Sequence, residues 1–191
     1  MNKNSFFALI SRMKYINRWG LMHNSRFENL SEHSFETAVI ANALANIENE
    51  MFGGCYDANA VAVHALFHDC AEIITGDLPT PVKHNNKALH CAYGDIEKAA
   101  QDTLITGLPE DIKNIYRGYM AEMPIIKAAD KLSALIKCIE EREVGNGDFA
   151  SAETAIRNSL AKSEFKSVKY FIDNILPCYS MTLDELSGGI K

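Results

Sequence analysis

The sequence predicts an all-α protein, and three observations carry that expectation. Apolar residues recur at helical spacing through long segments. Glycine and proline punctuate the gaps between them, and no alternating apolar–polar run is long enough to propose a sheet. With 191 residues, 47% of them hydrophobic, the chain can bury one large core. A single domain over 1–191 is expected, with the C-terminal helices of 151–191 belonging to it.

The start, MNKNSFFALISRMK, has an apolar run of only five residues before Ser11 and Arg12. No signal peptide is expected from it, and no segment approaches the roughly 20 apolar residues a membrane span needs. The stretch SEHSFETAVIANALANIEN then carries Val39, Ile40, Ala43, Leu44 and Ile47 on helical spacing, with Ser31 as a candidate N-cap. Gly53 and Gly54 break the chain. DANAVAVHALFHDCAEII follows, with Asp57 as N-cap, and it is apolar nearly all round, so it is expected to be a central, buried helix.

A turn containing Gly76, Pro79 and Pro81 stops it. A further helix is expected from about Lys87 to Ile105, ended by Gly107-Leu108-Pro109. PIIKAADKLSALIKCIEERE starts on Pro124, suited to a first helical turn, and stops at Gly145-Asn146-Gly147. A final helix is expected from about Ser151 through Ile175 to Pro177, with room for a break.

The formal net charge is −6 and no basic run is present, which argues against binding a nucleic-acid polymer. A small anionic substrate would need local positive charge, from a metal or a well-placed arginine. The five cysteines (Cys55, Cys70, Cys91, Cys138 and Cys178) are odd in number and contain no CxxC pair. They fit free thiols in a reducing compartment, and a cytoplasmic location is expected.

The chemistry concentrates in HDCAEIITGDLPTPVK. His68, Asp69 and Glu72 stand at i, i+1 and i+4, so on a helix His68 and Glu72 share a face with Asp69 about 100° round. This is half of a divalent-metal site, with Glu72 left to handle a water. Two further ligand candidates are His33, in the first turn of its helix, and Asp130, a carboxylate within an apolar helix. Asp130 lies off the centre of the apolar arc and could instead pair with Lys127 or Lys131. His64 and His68 form a rival H-x-x-x-H pair, but Ala65 stands where the zincin motif needs glutamate, so His64 reads as a core histidine or as one that supports the ligands from behind. Cys70 reads as a buried thiol.

Taken in order, His33, His68-Asp69 and Asp130 resemble the H…HD…D pattern of HD-domain metal-dependent phosphohydrolases. INRWGLM, ENLSEHS, FHDCAEIITGDLPTPVK and KAADKLSALIKCIEE together resemble the bacterial 5′-deoxynucleotidase subgroup of that family. The resemblance implies an HD-type helical bundle that removes phosphate from deoxyribonucleoside 5′-monophosphates. It implies His33, His68, Asp69 and Asp130 as ligands of one divalent ion, and the mixed N/O set suits Mn, Co, Fe, Ni or Zn better than calcium.

The same resemblance implies Glu72 as the group that orients or deprotonates water, and Arg18 as the grip on the phosphate. Trp19 would close the space of a ribose 2′-hydroxyl, Asp77 would accept from the sugar 3′-hydroxyl, and the Leu78–Pro79–Thr80 backbone would line the pocket, with Asp69 also touching substrate. Backbone contacts carry little information about the base, so several deoxynucleotides should be accepted. Lys83 takes no assigned role. A homodimer is expected. The alternatives are another HD-type nucleotide hydrolase, such as a triphosphohydrolase or phosphodiesterase, and a metal-bearing protein without turnover.

Overall fold

The computed structural model describes residues 4–79 and 86–188. Among these the secondary structure is helical, with a lone antiparallel bridge between Asn17 and Asn29 and no strand. The elements are α1 (Phe6–Ile10), α2 (Leu30–Phe52), α3 (Ala58–Phe67), α4 (Glu72–Thr75), α5 (Lys87–Ile105), α6 (Glu110–Tyr119), α7 (Pro124–Glu143), α8 (Ala150–Leu160), α9 (Lys166–Asn174) and α10 (Leu183–Leu186). No described helix is long and apolar enough to cross a membrane.

Helix α2 is the spine. Asn29, not Ser31, caps it: Asn29 Oδ1 accepts from the backbone N–H of Ser31 (2.9 Å) and Glu32 (3.1 Å). Glu32 returns a carboxylate to the Asn29 N–H at 3.2 Å, which completes a capping box. At the other end Gly53 adopts φ +76°, a left-handed stop that suits glycine. Small buried residues on α2 (Ala38, Ala41, Ala45), α3 (Ala65) and α7 (Ala129) let these three helices approach closely around Leu44, Leu132 and Leu135. A second cluster, built on Phe6, Leu30, Cys70 and Leu104, seats α1 and α5 against the segment that follows α3.

Asp57 caps α3 as expected, but the helix is less buried than its composition suggests. Val61 and Ala65 are buried, whereas Asn59 and Leu66 are exposed. It also ends at Phe67, short of the expected run. His68 Nδ1 takes the Ala65 carbonyl at 2.7 Å, the group that a continuing helix would offer to the Asp69 N–H. Residues 68–71 therefore descend in tighter turns, Cys70 N–H to Phe67 O (3.2 Å) and Glu72 N–H to Asp69 O (3.0 Å), before α4 begins.

The single C-terminal helix expected from about Ser151 is two, α8 and α9, separated by a turn in which the Ser163 N–H returns to Leu160 O at 2.9 Å. Glu48 of α2 fixes the second of them by accepting the Ser167 N–H at 2.7 Å, a carboxylate at an uncapped helix start. At the end of α7 the buried Glu141 accepts from the Ser25 N–H (2.9 Å) and from Asn146 Nδ2 (2.8 Å), and it pairs with the buried Lys137. This anchors the loop between α1 and α2, which carries Arg18 and Trp19.

Candidate metal and substrate site

His33 enters from the first turn of α2, His68 and Asp69 from the turn after α3, and Asp130 from the middle of α7. One nitrogen each of His33 and His68 and one oxygen of Asp130 lie within 4.8 Å of one another. Asp69 Oδ2 joins them, 3.5 Å from His33 Nε2 and 3.1 Å from His68 Nε2, while Asp130 Oδ1 lies 3.1 Å from His33 Nε2. The fold thus brings together the four candidate ligands, which the sequence separates by up to 97 residues. Asp130 faces this group rather than Lys127 or Lys131, which pair instead with Glu122 and Ser159.

The donor chemistry fits a divalent cation. His68 Nδ1 donates to the Ala65 carbonyl, so the neutral ring keeps its lone pair on Nε2, which is buried and faces Asp69 Oδ2 at 3.1 Å. On the other ring, the Ser133 hydroxyl donates to Glu36 Oε2 at 2.6 Å and stands 3.1 Å from His33 Nδ1. Its oxygen is thereby placed to accept from Nδ1–H, which leaves the Nε2 lone pair facing Asp130 Oδ1 at 3.1 Å, with the Thr37 hydroxyl 3.5 Å away. Outer partners of this kind orient metal-binding imidazoles.

Charge in the cluster is finely opposed. Burial works to lower the pKa of His68, but the charges of Asp69 and Asp130 outweigh it and raise the value from 6.5 to about 9. Asp69 is held below the usual carboxylate range: burial pushes it up, and His68, His33 and Arg18 together pull it further down.

Without a cation, protonated His68 stabilises the fold fully below its ordinary value of 6.5, and that contribution is lost as pH rises through about 9. A cation needs the unprotonated Nε2, so its binding expels the proton. Metal affinity should rise with pH up to about 9, with protons released at pH 7; calorimetric titration in buffers of different ionisation enthalpy reads this directly. Affinity independent of pH across this range would contradict it.

The Arg18 side chain is 13% exposed and sits over the cluster, Nη1 3.3 Å from Asp69 Oδ2 and Nη2 3.9 Å from Asp130 Oδ1. Trp19 adopts φ +58°, a conformation rare for a bulky side chain. Its backbone N–H bonds the half-buried carboxyl of Asp77, its carbonyl accepts from Asn24 Nδ2 at 3.1 Å, and its ring packs on Phe149 at 5.2 Å. Gly76 takes φ +73°, which permits the bend read from the sequence. The hydroxyl of Tyr93 on α5 lies 3.4 Å from the Gly76 carbonyl and braces that turn. Leu78 and Pro79 continue the wall, half-buried; Thr80, Pro81 and Lys83 lie outside the described residues. Glu72 is buried, 7% exposed, at the first position of α4.

The family model described as 5′-deoxynucleotidase YfbR-like matches residues 5–179. The chain belongs to the YfbR-like 5′-deoxynucleotidase family. A 5′-deoxynucleotidase of Erwinia tasmaniensis is 43% identical over 194 aligned positions that cover 98% of each chain. Among solved structures, an HD-domain phosphohydrolase from Listeria innocua is 26% identical with TM-score 0.82, covering 94% of this chain and 90% of that one. The HD phosphohydrolase DatZ of cyanophage S-2L, solved with dA and one catalytic Zn2+ ion, shares the fold at TM-score 0.63 and 19% identity, covering 89% of this chain and 95% of that one. The all-α HD fold and the family resemblance read from the sequence are both borne out.

In this YfbR-like chain, His64 stands apart from the His33–His68–Asp130 group and lies against Tyr119, ring centres 5.6 Å apart. Cys70 is buried, and burial first, then the charge of Asp69, push its thiol up to about 12, which disfavours a thiolate ligand. Three residues around His33 escape sequence reasoning: Ser133, Glu36 and Glu28. Ser133 alone carries a signal, a polar residue one helical turn from Asp130 within an apolar stripe.

Proposed function

We propose that the protein is a metal-dependent 5′-deoxynucleotidase that hydrolyses deoxyribonucleoside 5′-monophosphates to deoxyribonucleoside and phosphate. The observation that carries the reading is the convergence of two imidazoles, two carboxylates and one guanidinium in a chain of this family. His33, His68, Asp69 and Asp130 would hold the ion, and their mixed nitrogen and oxygen atoms suit Mn, Co, Fe, Ni or Zn. A divalent ion there supplies Lewis acidity, acidifying water toward a pKa of ~7 and neutralising phosphoryl charge.

The chain's own groups do the rest. Arg18 grips the phosphate through parallel hydrogen bonds from its planar fork, a geometry that a lysine lacks. Glu72 takes the proton of the attacking water and returns it to the 5′-oxygen as the P–O bond breaks. Trp19 occupies the space a ribose 2′-hydroxyl would need, Asp77 accepts from the sugar 3′-hydroxyl, and the backbone from Leu78 through Pro79 to Thr80 lines the pocket without choosing a base.

A panel of deoxy and ribo 5′-monophosphates tests this. Hydrolysis of dAMP should exceed that of AMP, the other deoxynucleotides should also react, and a chelator should stop them all. Trp19→Ala should narrow the dAMP:AMP ratio by roughly tenfold or more, since a wall that merely excludes a hydroxyl discriminates on that scale. An unchanged ratio would reject the sugar-reading role. The reading includes a cytoplasmic homodimer, supported by the free thiols and by Phe35 and Val39, exposed one turn apart on α2.

A further inference from the structure

Glu28 does none of the chemistry assigned above, yet it touches three of the groups that do. It is 9% exposed, and its carboxylate lies where the segment holding Arg18 and Trp19 crosses the start of α2. The two stretches are zipped together: Arg18 N–H donates to Glu28 O and Leu30 N–H to Ile16 O, both at 2.9 Å, on either side of the Asn17–Asn29 bridge. From this fixed base Glu28 Oε2 accepts the Trp19 indole N–H at 2.9 Å and stands 3.6 Å from Arg18 Nε, while Oε1 stands 3.5 Å from His33 Nδ1.

We propose that Glu28 is a positioning residue that locks the Trp19 indole in place, so that discrimination between deoxyribose and ribose depends on it. This rests on the reading of Trp19 as the sugar wall. The indole has one polar atom, a donor, and when half-buried that donor needs an acceptor. Here the acceptor is an ionised carboxylate, which makes a stronger bond than a neutral oxygen would.

The ring is thus held at two places, by Glu28 at its N–H edge and by the Phe149 ring packed beside it at a tilt. The backbone beneath it is already in an uncommon conformation, tied by Asp77 on one side and by Asn24 on the other. A residue in the left-handed region persists there only when its surroundings over-determine it. With the carboxylate removed, one hold is lost. The indole can then swing about its side-chain torsions, and a wall that swings admits a 2′-hydroxyl. Simple loss of folding would act differently, lowering turnover of both sugars together and leaving their ratio alone.

The test compares metal-loaded wild type, Glu28→Leu, Glu28→Gln and Trp19→Ala on dAMP and AMP. It also records the emission spectrum, because Trp19 is the protein's only tryptophan. Glu28→Leu should lose most of the dAMP:AMP ratio, falling roughly tenfold toward the Trp19→Ala value, and its emission should shift. Glu28→Gln, which keeps an acceptor oxygen at the same reach, should retain both the ratio and the emission.

If Glu28→Leu does not fold, Glu28→Asp takes its place: it keeps the charge beside Arg18 and His33 but draws the acceptor away from the indole, and the same loss of ratio is expected. A wild-type ratio in folded Glu28→Leu or Glu28→Asp, alongside a narrowed ratio in Trp19→Ala, overturns the role of Glu28 alone. A wild-type ratio in Trp19→Ala overturns the sugar-wall reading and this proposal with it.

Discussion

Glu72→Gln should cut turnover by about 10²–10⁴-fold while leaving metal and substrate affinity near wild type, the range that general acid–base help supplies. The substitution preserves size and removes only the ability to take and return a proton. Glu72 suits that task by its place in the chain, just after the His68-Asp69 pair. The tight turns after Phe67 spend His68 and Asp69 on the cluster and then start α4 on Glu72, whose backbone N–H bonds Asp69 O at 3.0 Å. A carboxylate 7% exposed in such a place is sheltered from bulk water yet one short turn from the ligands. Rapid-quench turnover measured beside equilibrium binding of a deoxynucleotide separates the two effects. Full activity in Glu72→Gln would remove the residue from the mechanism.

Arg18→Lys should lower kcat/KM for dAMP by about 10²-fold, the scale of losing hydrogen bonds to a charged partner. Burial works against the charge of Arg18, but Asp130, Asp69, Glu28 and Asp77 surround it and raise its pKa, so the guanidinium stays ionised throughout. Its five N–H groups can be shared between these carboxylates and a phosphate. An ammonium in the same place keeps the charge and loses the fork. The defect should appear with every deoxynucleotide, because the contact is to phosphate and not to base. Steady-state kinetics on two bases checks this, and wild-type kcat/KM in Arg18→Lys would contradict it.

The sequence makes legible those features whose signal is local. The sequence predicts α5 and α7 with their boundaries, because Gly107-Leu108-Pro109, Pro124 and Gly145 act on the residues beside them. The four candidate ligands are legible as a pattern of residue types in order. Apolar spacing predicts neither α6 nor the short α1, and it leaves the break between α8 and α9 open. The cap on α2 is Asn29 and not Ser31 because Glu32 stands three residues after Asn29 and completes a capping box, whereas Ser31 has Ser34 at that spacing.

The end of α3 at Phe67 was set by the His68 side chain taking a backbone carbonyl, a competition invisible in apolar periodicity. Glu28 and Ser133 escaped for a related reason. Their partners, Trp19 and His33, lie on other elements, and Ser133 is 100 residues from the imidazole it supports. Spacing within one helix cannot report a contact of that length.

The proposed chemistry needs one ion shared by His33, His68, Asp69 and Asp130. Its most direct measurement is a Co(II) titration of the chelator-stripped, folded protein, followed by the visible absorption of the bound ion. A single equivalent should bind per chain, and His68→Ala and Asp130→Ala should each lose that binding while remaining folded. A folded wild type that takes up no cobalt, or variants that bind it as tightly as wild type, would contradict the account.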